Sequence, residues 1–251
     1  MMLEVTGLGC AVGRRELLRG ISFAVREGDW LMVCGPNGAG KSTLLRCVSG
    51  ALPFTGEARL LGRDVRGMKP AERARLLGMM AQTHRSAYAY TVEAVVRMGR
   101  YARARFFGAE ESGAEEALEN ALRLAGLTGL RSRSVLTLSG GEYQRCMLAQ
   151  VLCQDPRVLL LDEPASHLDL RCQRDFYCLI DAWRREKGRA VVSVEHSLTA
   201  ARRWGTSALL LAGGEARAFG PVREALSDSA LLQAWDMDVA GWMREEAQAW
   251  E

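Results

Sequence analysis

Residues 30–48 constrain the fold more than any other part of the chain. Trp30, Leu31, Met32, Val33 and Cys34 form an apolar run of strand type that passes straight into Gly35, Pro36, Asn37, Gly38, Ala39 and Gly40. From Lys41 onward, Leu44, Leu45 and Val48 recur at the spacing of one helix face. With Lys41 and Ser42 the segment fits G-x-x-x-x-G-K-[ST], in which positions without side chains let backbone N–H groups wrap phosphate oxygens at a helix N-terminus. Lys41 is then expected to neutralise the β- and γ-phosphates of a nucleoside triphosphate, and the Ser42 hydroxyl, followed by Thr43, to face Mg²⁺.

A second apolar strand, Val158, Leu159, Leu160 and Leu161, ends in Asp162 and Glu163, at the carboxyl edge where a parallel sheet presents its ligands. Asp162 suits Mg²⁺ and Glu163 suits polarising an attacking water. Further strands are expected at 190–194 and 208–211, separated by helical stretches, and this alternation predicts a largely parallel, helix-covered sheet. His196 follows the 190–194 strand and should emerge at the same sheet edge as the two carboxylates. Residues 84–137 read as mostly helical, with charged faces carrying Glu110, Glu111, Glu115, Glu116 and Glu119. Residues 221–251 read as a helical tail with Trp235, Trp242 and Trp250, expected to pack on the core.

Leu138, Ser139, Gly140, Gly141, Glu142, Tyr143, Gln144 and Arg145 open another helix. Ser139 with Glu142 three residues on is a capping box, and the two glycines beside the cap leave backbone N–H groups accessible to an anion. Leu-Ser-Gly-Gly-Glu-x-Gln-Arg resembles the signature of ATP-binding-cassette (ABC) ATPases, and with both nucleotide motifs the resemblance extends over nearly the whole chain.

That resemblance implies an α/β fold of P-loop NTPase type. It comprises a RecA-like core (1–83 and 138–220) with an antiparallel β subdomain, an inserted α-helical subdomain (84–137) and the tail (221–251), all in one ABC ATPase domain spanning 1–251. It also implies ATP and Mg²⁺ as ligands. Gln82 becomes the glutamine that links Mg²⁺ and water to the transporter contact, Ser166-His167-Leu168-Asp169 the D-loop, and His196 the switch histidine at the γ-phosphate. The family forms a head-to-tail homodimer in which Ser139 and Gly141 of one copy close over ATP held by the other. The stretch Thr91 to Tyr101, the D-loop form and the tail from Phe219-Gly220-Pro221 are similar to cassettes of importers for iron-siderophores, haem and vitamin B12. Ala102 replaces a proline often found there. Such a chain would lie at the cytoplasmic face of the inner membrane, beside integral-membrane permease subunits and, indirectly, an extracytoplasmic binding protein.

Two positions depart from the family. Adenine usually stacks on an aromatic residue before the first glycine-containing turn, whereas here Val12 occupies that place and no aromatic residue precedes Phe23. Adenine is then left to Val12 or to planar stacking on Arg14 or Arg15, and weak base selectivity is expected. Ser197 follows the switch histidine where the family often has Asp.

Composition narrows the alternatives. A net charge of +3, with only three Lys (Lys41, Lys69, Lys187) among 33 basic residues, is too mild to imply nucleic acid as a partner. The seven cysteines form no CxxC pair and are expected to be reduced core residues. The N-terminus has no apolar signal-type segment, and runs such as 158–161 and 208–212 fall far short of the roughly 18 residues that span a bilayer. Any service to a membrane is therefore expected from outside it. Arg97, Arg100, Arg103 and Arg105 form either a solvated helical face or a docking surface for a membrane partner. His84 reads as a structural or merely surface-exposed residue. A soluble cassette that remodels a cytoplasmic complex and an exporter motor are the competing readings; the single cassette without a long arm and the 91–101 stretch argue against the first, and the second has identical chemistry.

Overall fold

The computed structural model describes residues 1–81, 88–103, 113–166 and 168–249. The chain opens with a long hairpin, β1 (Leu3–Val12) and β2 (Arg15–Val25), turned by Gly13 and Arg14 with Val12 paired to Arg15. One hairpin face is apolar: Leu3, Val5, Leu8 and Cys10 on β1 and Leu18, Ile21, Phe23 and Val25 on β2 are buried. β3 (Trp30–Cys34) is buried at every residue, as a strand covered on both faces must be. It runs through the glycine loop into α1 (Lys41–Val48). β4 (Thr55–Leu60) and the short β5 (Arg63–Asp64) complete an antiparallel sheet of order β2-β1-β4-β5.

The middle of the chain continues with α2 (Pro70–Leu76), entered by a proline in its first turn, and β6 (Leu77–Met80). Three helices follow: α3 (Val92–Arg97), capped by the Thr91 hydroxyl; α4 (Ala114–Leu124); and α5 (Gly140–Cys153). α3 and α4 pack on each other and on α5 through Val92, Val95, Val96, Leu118, Ala121 and Leu122, all buried. β7 (Val158–Asp162) pairs in parallel with β6, and α6 (Leu170–Arg184) leads to β8 (Ala190–Val194). The final stretch contains α7 (Leu198–Trp204), β9 (Ser207–Ala212), β10 (Glu215–Pro221), α8 (Val222–Ala225), α9 (Asp228–Trp235) and α10 (Val239–Gln248).

These elements gather into two compact units, Met1–Arg66 with Val192–Glu251, and Gly67–Val191, and the chain passes from the second to the first inside β8. The first unit holds the antiparallel sheet and the strand order β10-β9-β3-β8, with β9 parallel to β3 and antiparallel to β10. Its interior contains one well-satisfied polar insertion: the Trp30 indole N–H donates to the Ser193 hydroxyl at 2.9 Å, which explains a fully buried serine in β8. The second unit holds β8-β7-β6 and the helices on α5. Leu159, Leu160 and Leu161 are fully buried, so truncating any one to Ala costs about 2–5 kcal/mol.

Several expectations need correcting. All seven cysteines are free, as expected, but Cys178 is exposed and Cys172 half-buried, so only five belong to the core. Trp242 is 51% exposed, although α9 does pack on β9 and β10. Of the four arginines read as a solvated face or a docking surface, Arg100 and Arg103 are engaged within the chain. The Arg100 guanidinium donates to the Cys153 carbonyl at 3.0 Å, and Arg103 donates to the carbonyls of Gln154 and Asp155 at 3.0 and 3.1 Å. They satisfy carbonyls at and just beyond the C-terminus of α5, where the helix dipole favours cations. Arg97 bridges Glu93 and Glu115. Arg105 and His84 lie outside the described residues.

Candidate nucleotide-binding site

In the first unit the glycine loop turns Lys41 back over itself. The Lys41 ammonium donates to the carbonyls of Gly35 at 2.7 Å and Pro36 at 2.9 Å, and the residue is only 6% exposed. Gly40, the N-cap of α1, has φ 97°, and a Cβ there would stand 2.6 Å from Leu18 Cδ2 and 3.0 Å from the Leu17 carbonyl oxygen. Both conditions require glycine. A buried cation on the first residue of a helix opposes the macrodipole, whose positive end lies there. A multiply charged anion at the loop would offset that opposition, and a triphosphate is an anion of this kind. Asn37 and Gly38 are exposed, Pro36, Ser42 and Thr43 half-buried, and Ala39 buried.

The strand behind the loop carries its own electrostatics. Burial foremost, then the Glu195 carboxylate, pushes the Cys34 thiol up to about 12, with Lys41 acting in the opposite sense. Glu195 is 4% exposed, and its backbone N–H donates to the Val33 carbonyl at 3.1 Å, two residues before Gly35. His196 is the next residue and is exposed. The structure therefore brings His196 to the end of β8 beside the strand that feeds the phosphate loop.

The second unit assembles the other motif residues. Ser139 caps α5: its hydroxyl accepts from the Glu142 N–H at 3.3 Å, and Glu142 Oε2 accepts from the Ser139 N–H at 2.8 Å. The capping box read from sequence is thus present. That backbone N–H is the main reason the Glu142 carboxyl sits below the ordinary carboxylate range, helped by the Ser139 hydroxyl and by Arg133 and Arg145. Gly140 is exposed and Gly141 buried. A Cβ on Gly141 would stand 2.7 Å from Cys172 Sγ, so glycine permits α5 and α6 to approach closely. Asp169 caps α6, with Oδ1 accepting from the Cys172 N–H at 2.8 Å, and this bond holds its carboxyl below the usual value.

Asp162, 5% exposed, ends β7. Glu163 follows with φ 52°, a left-handed conformation that costs a non-glycine residue about 1 kcal/mol or more and concentrates at functional sites. Ser42 and Asp162 offer hard oxygen donors of the kind Mg²⁺ takes. Among the described residues no group of three or more His, Cys, Asp or Glu could hold a metal ion. Gln82 and His167 lie outside the described residues.

A phosphate loop at the end of a buried strand, opening a helix and followed later by a strand ending in two acidic residues, defines a P-loop nucleotide-binding α/β protein. Residues 18–166 match the family described as ABC transporter, and the chain belongs to that family. The hemin import ATP-binding protein HmuV of Bradyrhizobium diazoefficiens is 39% identical over 94% of this chain and 89% of its own length. The uncharacterized ABC transporter ATP-binding protein YvrA of Bacillus subtilis is 33% identical over 98% of this chain, which spans only 56% of that relative. Among solved structures, an inward-facing putative metal-chelate type ABC transporter aligns with TM-score 0.82 at 28% identity, covering 94% of this chain and 90% of the other. The chain is accordingly an ABC-type ATPase whose hydrolysis is coupled to transport, and its fold is the P-loop NTPase fold of that family.

Proposed function

We propose that this chain is the ATP-hydrolysing subunit of an importer for a metal chelate, whether an iron chelate, haem or cobalamin. The single observation that carries the nucleotide part is the buried Lys41 folded onto Gly35 and Pro36 at the start of α1. The importer part rests on the similarity to HmuV over nearly the whole chain. In this reading the backbone of 35–40 and the Lys41 ammonium hold the β- and γ-phosphates. Ser42, Asp162 and Gln82 would hold Mg²⁺, which supplies charge neutralisation between the phosphates when bound. Glu163 orients water for in-line attack and His196 stabilises charge developing on the γ-phosphate. Two copies act head to tail, with Ser139, Gly140 and Gly141 of one, supported by Glu142 and Asp169, closing over ATP held by the other. Closure and reopening then pull on integral-membrane permease subunits, supplied by an extracytoplasmic binding protein, from the cytoplasmic face of the membrane.

Glu163→Gln tests the chemistry directly. The variant should bind ATP with unchanged affinity in equilibrium titration while steady-state phosphate release falls at least about a hundredfold, the range expected for a general base. Undiminished hydrolysis would remove Glu163 from the mechanism.

A further inference from the structure

The Glu163 turn is held from outside by two amide side chains, those of Gln144 and Gln173. Gln144 Nε2 donates to the Pro164 carbonyl at 2.6 Å, and Gln173 Nε2 donates to the carbonyls of Ala165 and Leu168 at 3.3 and 2.9 Å. Within the turn, the Ser166 N–H and hydroxyl reach the Glu163 carbonyl at 3.4 and 3.2 Å, and the Leu168 N–H reaches the Ala165 carbonyl at 3.3 Å. Pro164 and Ala165 are buried, so their carbonyls need partners from the protein.

The two glutamines come from the helices that start at the signature and at the D-loop. Gln144 lies on α5, three residues after Gly141. Gln173 lies in the first turn of α6, where its own N–H bonds the Asp169 carbonyl at 2.8 Å. Gly141 and Cys172 bring the starts of those helices into contact. Glu163 is held left-handed at φ 52°, a conformation that persists only where its surroundings over-determine it.

We propose that Gln144 is a positioning residue that ties the Ser139–Gly141 end of α5 to the Glu163 turn of the same chain, with Gln173 fixing the far end of that turn. Whatever engages the N-terminus of α5 then moves the Pro164 carbonyl, and with it the aim of the Glu163 carboxylate. An ATP closed over by Ser139 and Gly141 would thereby adjust hydrolysis at the other site, where this chain's own Glu163 acts. The inference rests on the role assigned to Glu163 above.

The test uses Gln144→Glu in the full chain, because the carboxylate keeps the length of the side chain but has no N–H to donate to Pro164. Steady-state ATP hydrolysis should show kcat lower on the order of tenfold, with KM and ATP affinity within about twofold, since misplacing a catalytic group by an ångström costs up to about a hundredfold. In the Glu163→Gln background the same change should have no further effect on residual turnover. A merely structural role would instead lower kcat by the same factor in both backgrounds, and that result, or an unchanged kcat, overturns the proposal. Should Gln144→Glu fail to fold, Gln173→Glu, which removes the donor to Ala165 and Leu168, is read by the same pair of measurements. Full activity of Glu163→Gln by itself would overturn the catalytic assignment, whatever Gln144 does.

Discussion

Base recognition is expected from three side chains at the tip of the first hairpin. Gly40 packs against Leu17 and Leu18, so the phosphate loop lies beside the middle of β2. From Leu18 back to Arg15 the strand covers about 10 Å, roughly the reach from the phosphates of a nucleotide to its base. What waits there is Val12, 58% exposed, with Arg14 and Arg15 also exposed. A guanidinium offers a flat face to any purine, and an isopropyl group offers none. Neither reads the Watson–Crick edge. ATP and GTP should therefore compete for the chain with affinities within about threefold, as bases stack with little regard to identity, and Val12→Tyr should tighten both. Competition titration checks this, and a strong preference for ATP would show that another group reads the base. The positions of Lys41, Ser139 and Glu163 were legible in sequence because each motif is local, bounded by a strand end or a cap. Gln144 stood within a recognised motif, yet its bond reaches 20 residues along the chain to Pro164, and no spacing rule connects an amide to that carbonyl.

Among the elements, α5 couples sequence to chemistry most directly, and its capping box has a measurable pH signature. Unfolded, Glu142 titrates as an ordinary carboxyl. Folded, its carboxylate accepts from the Ser139 N–H, and its pKa is depressed. The bond therefore contributes stability above the ordinary carboxylate range, and that contribution is lost as pH falls through the folded-state value. Glu142→Ala should lower the thermal midpoint at pH 7 by about 2–4 °C, the equivalent of about 1 kcal/mol in a chain this long. The gap should narrow progressively below about pH 4, where the wild-type carboxyl also protonates. Thermal unfolding followed by circular dichroism at both pH values checks it, and a gap constant with pH would show that side-chain packing, rather than the charged cap, sets the difference. Elements with a strong internal pattern (β3, β7, β8 and α5) could be read from sequence. β6 could not: Leu77, Gly78, Met79 and Met80 have no alternation, and pairing with β7 makes them a strand. β10 is mostly exposed or half-buried, and its strand state comes from β9.

At the scale of the whole molecule, the described residues bear on how the importer reading is tested. No helix among them is long and apolar enough to cross a membrane. If the importer reading is right, the chain extracted gently from its native membrane should bring integral-membrane subunits with it, and alkaline carbonate should release it from that membrane without detergent, since its attachment is by contact rather than by insertion. The binding protein that stimulates ATP turnover in the reconstituted complex should carry a metal chelate, detectable by its metal content and, for haem or a corrin, by visible absorption. The similarity to HmuV makes haem the first ligand to try. A complex whose hydrolysis responds to no extracytoplasmic binding protein would instead favour export, because the nucleotide chemistry proposed for Lys41, Glu163 and His196 is the same in either direction and only the membrane partner distinguishes them.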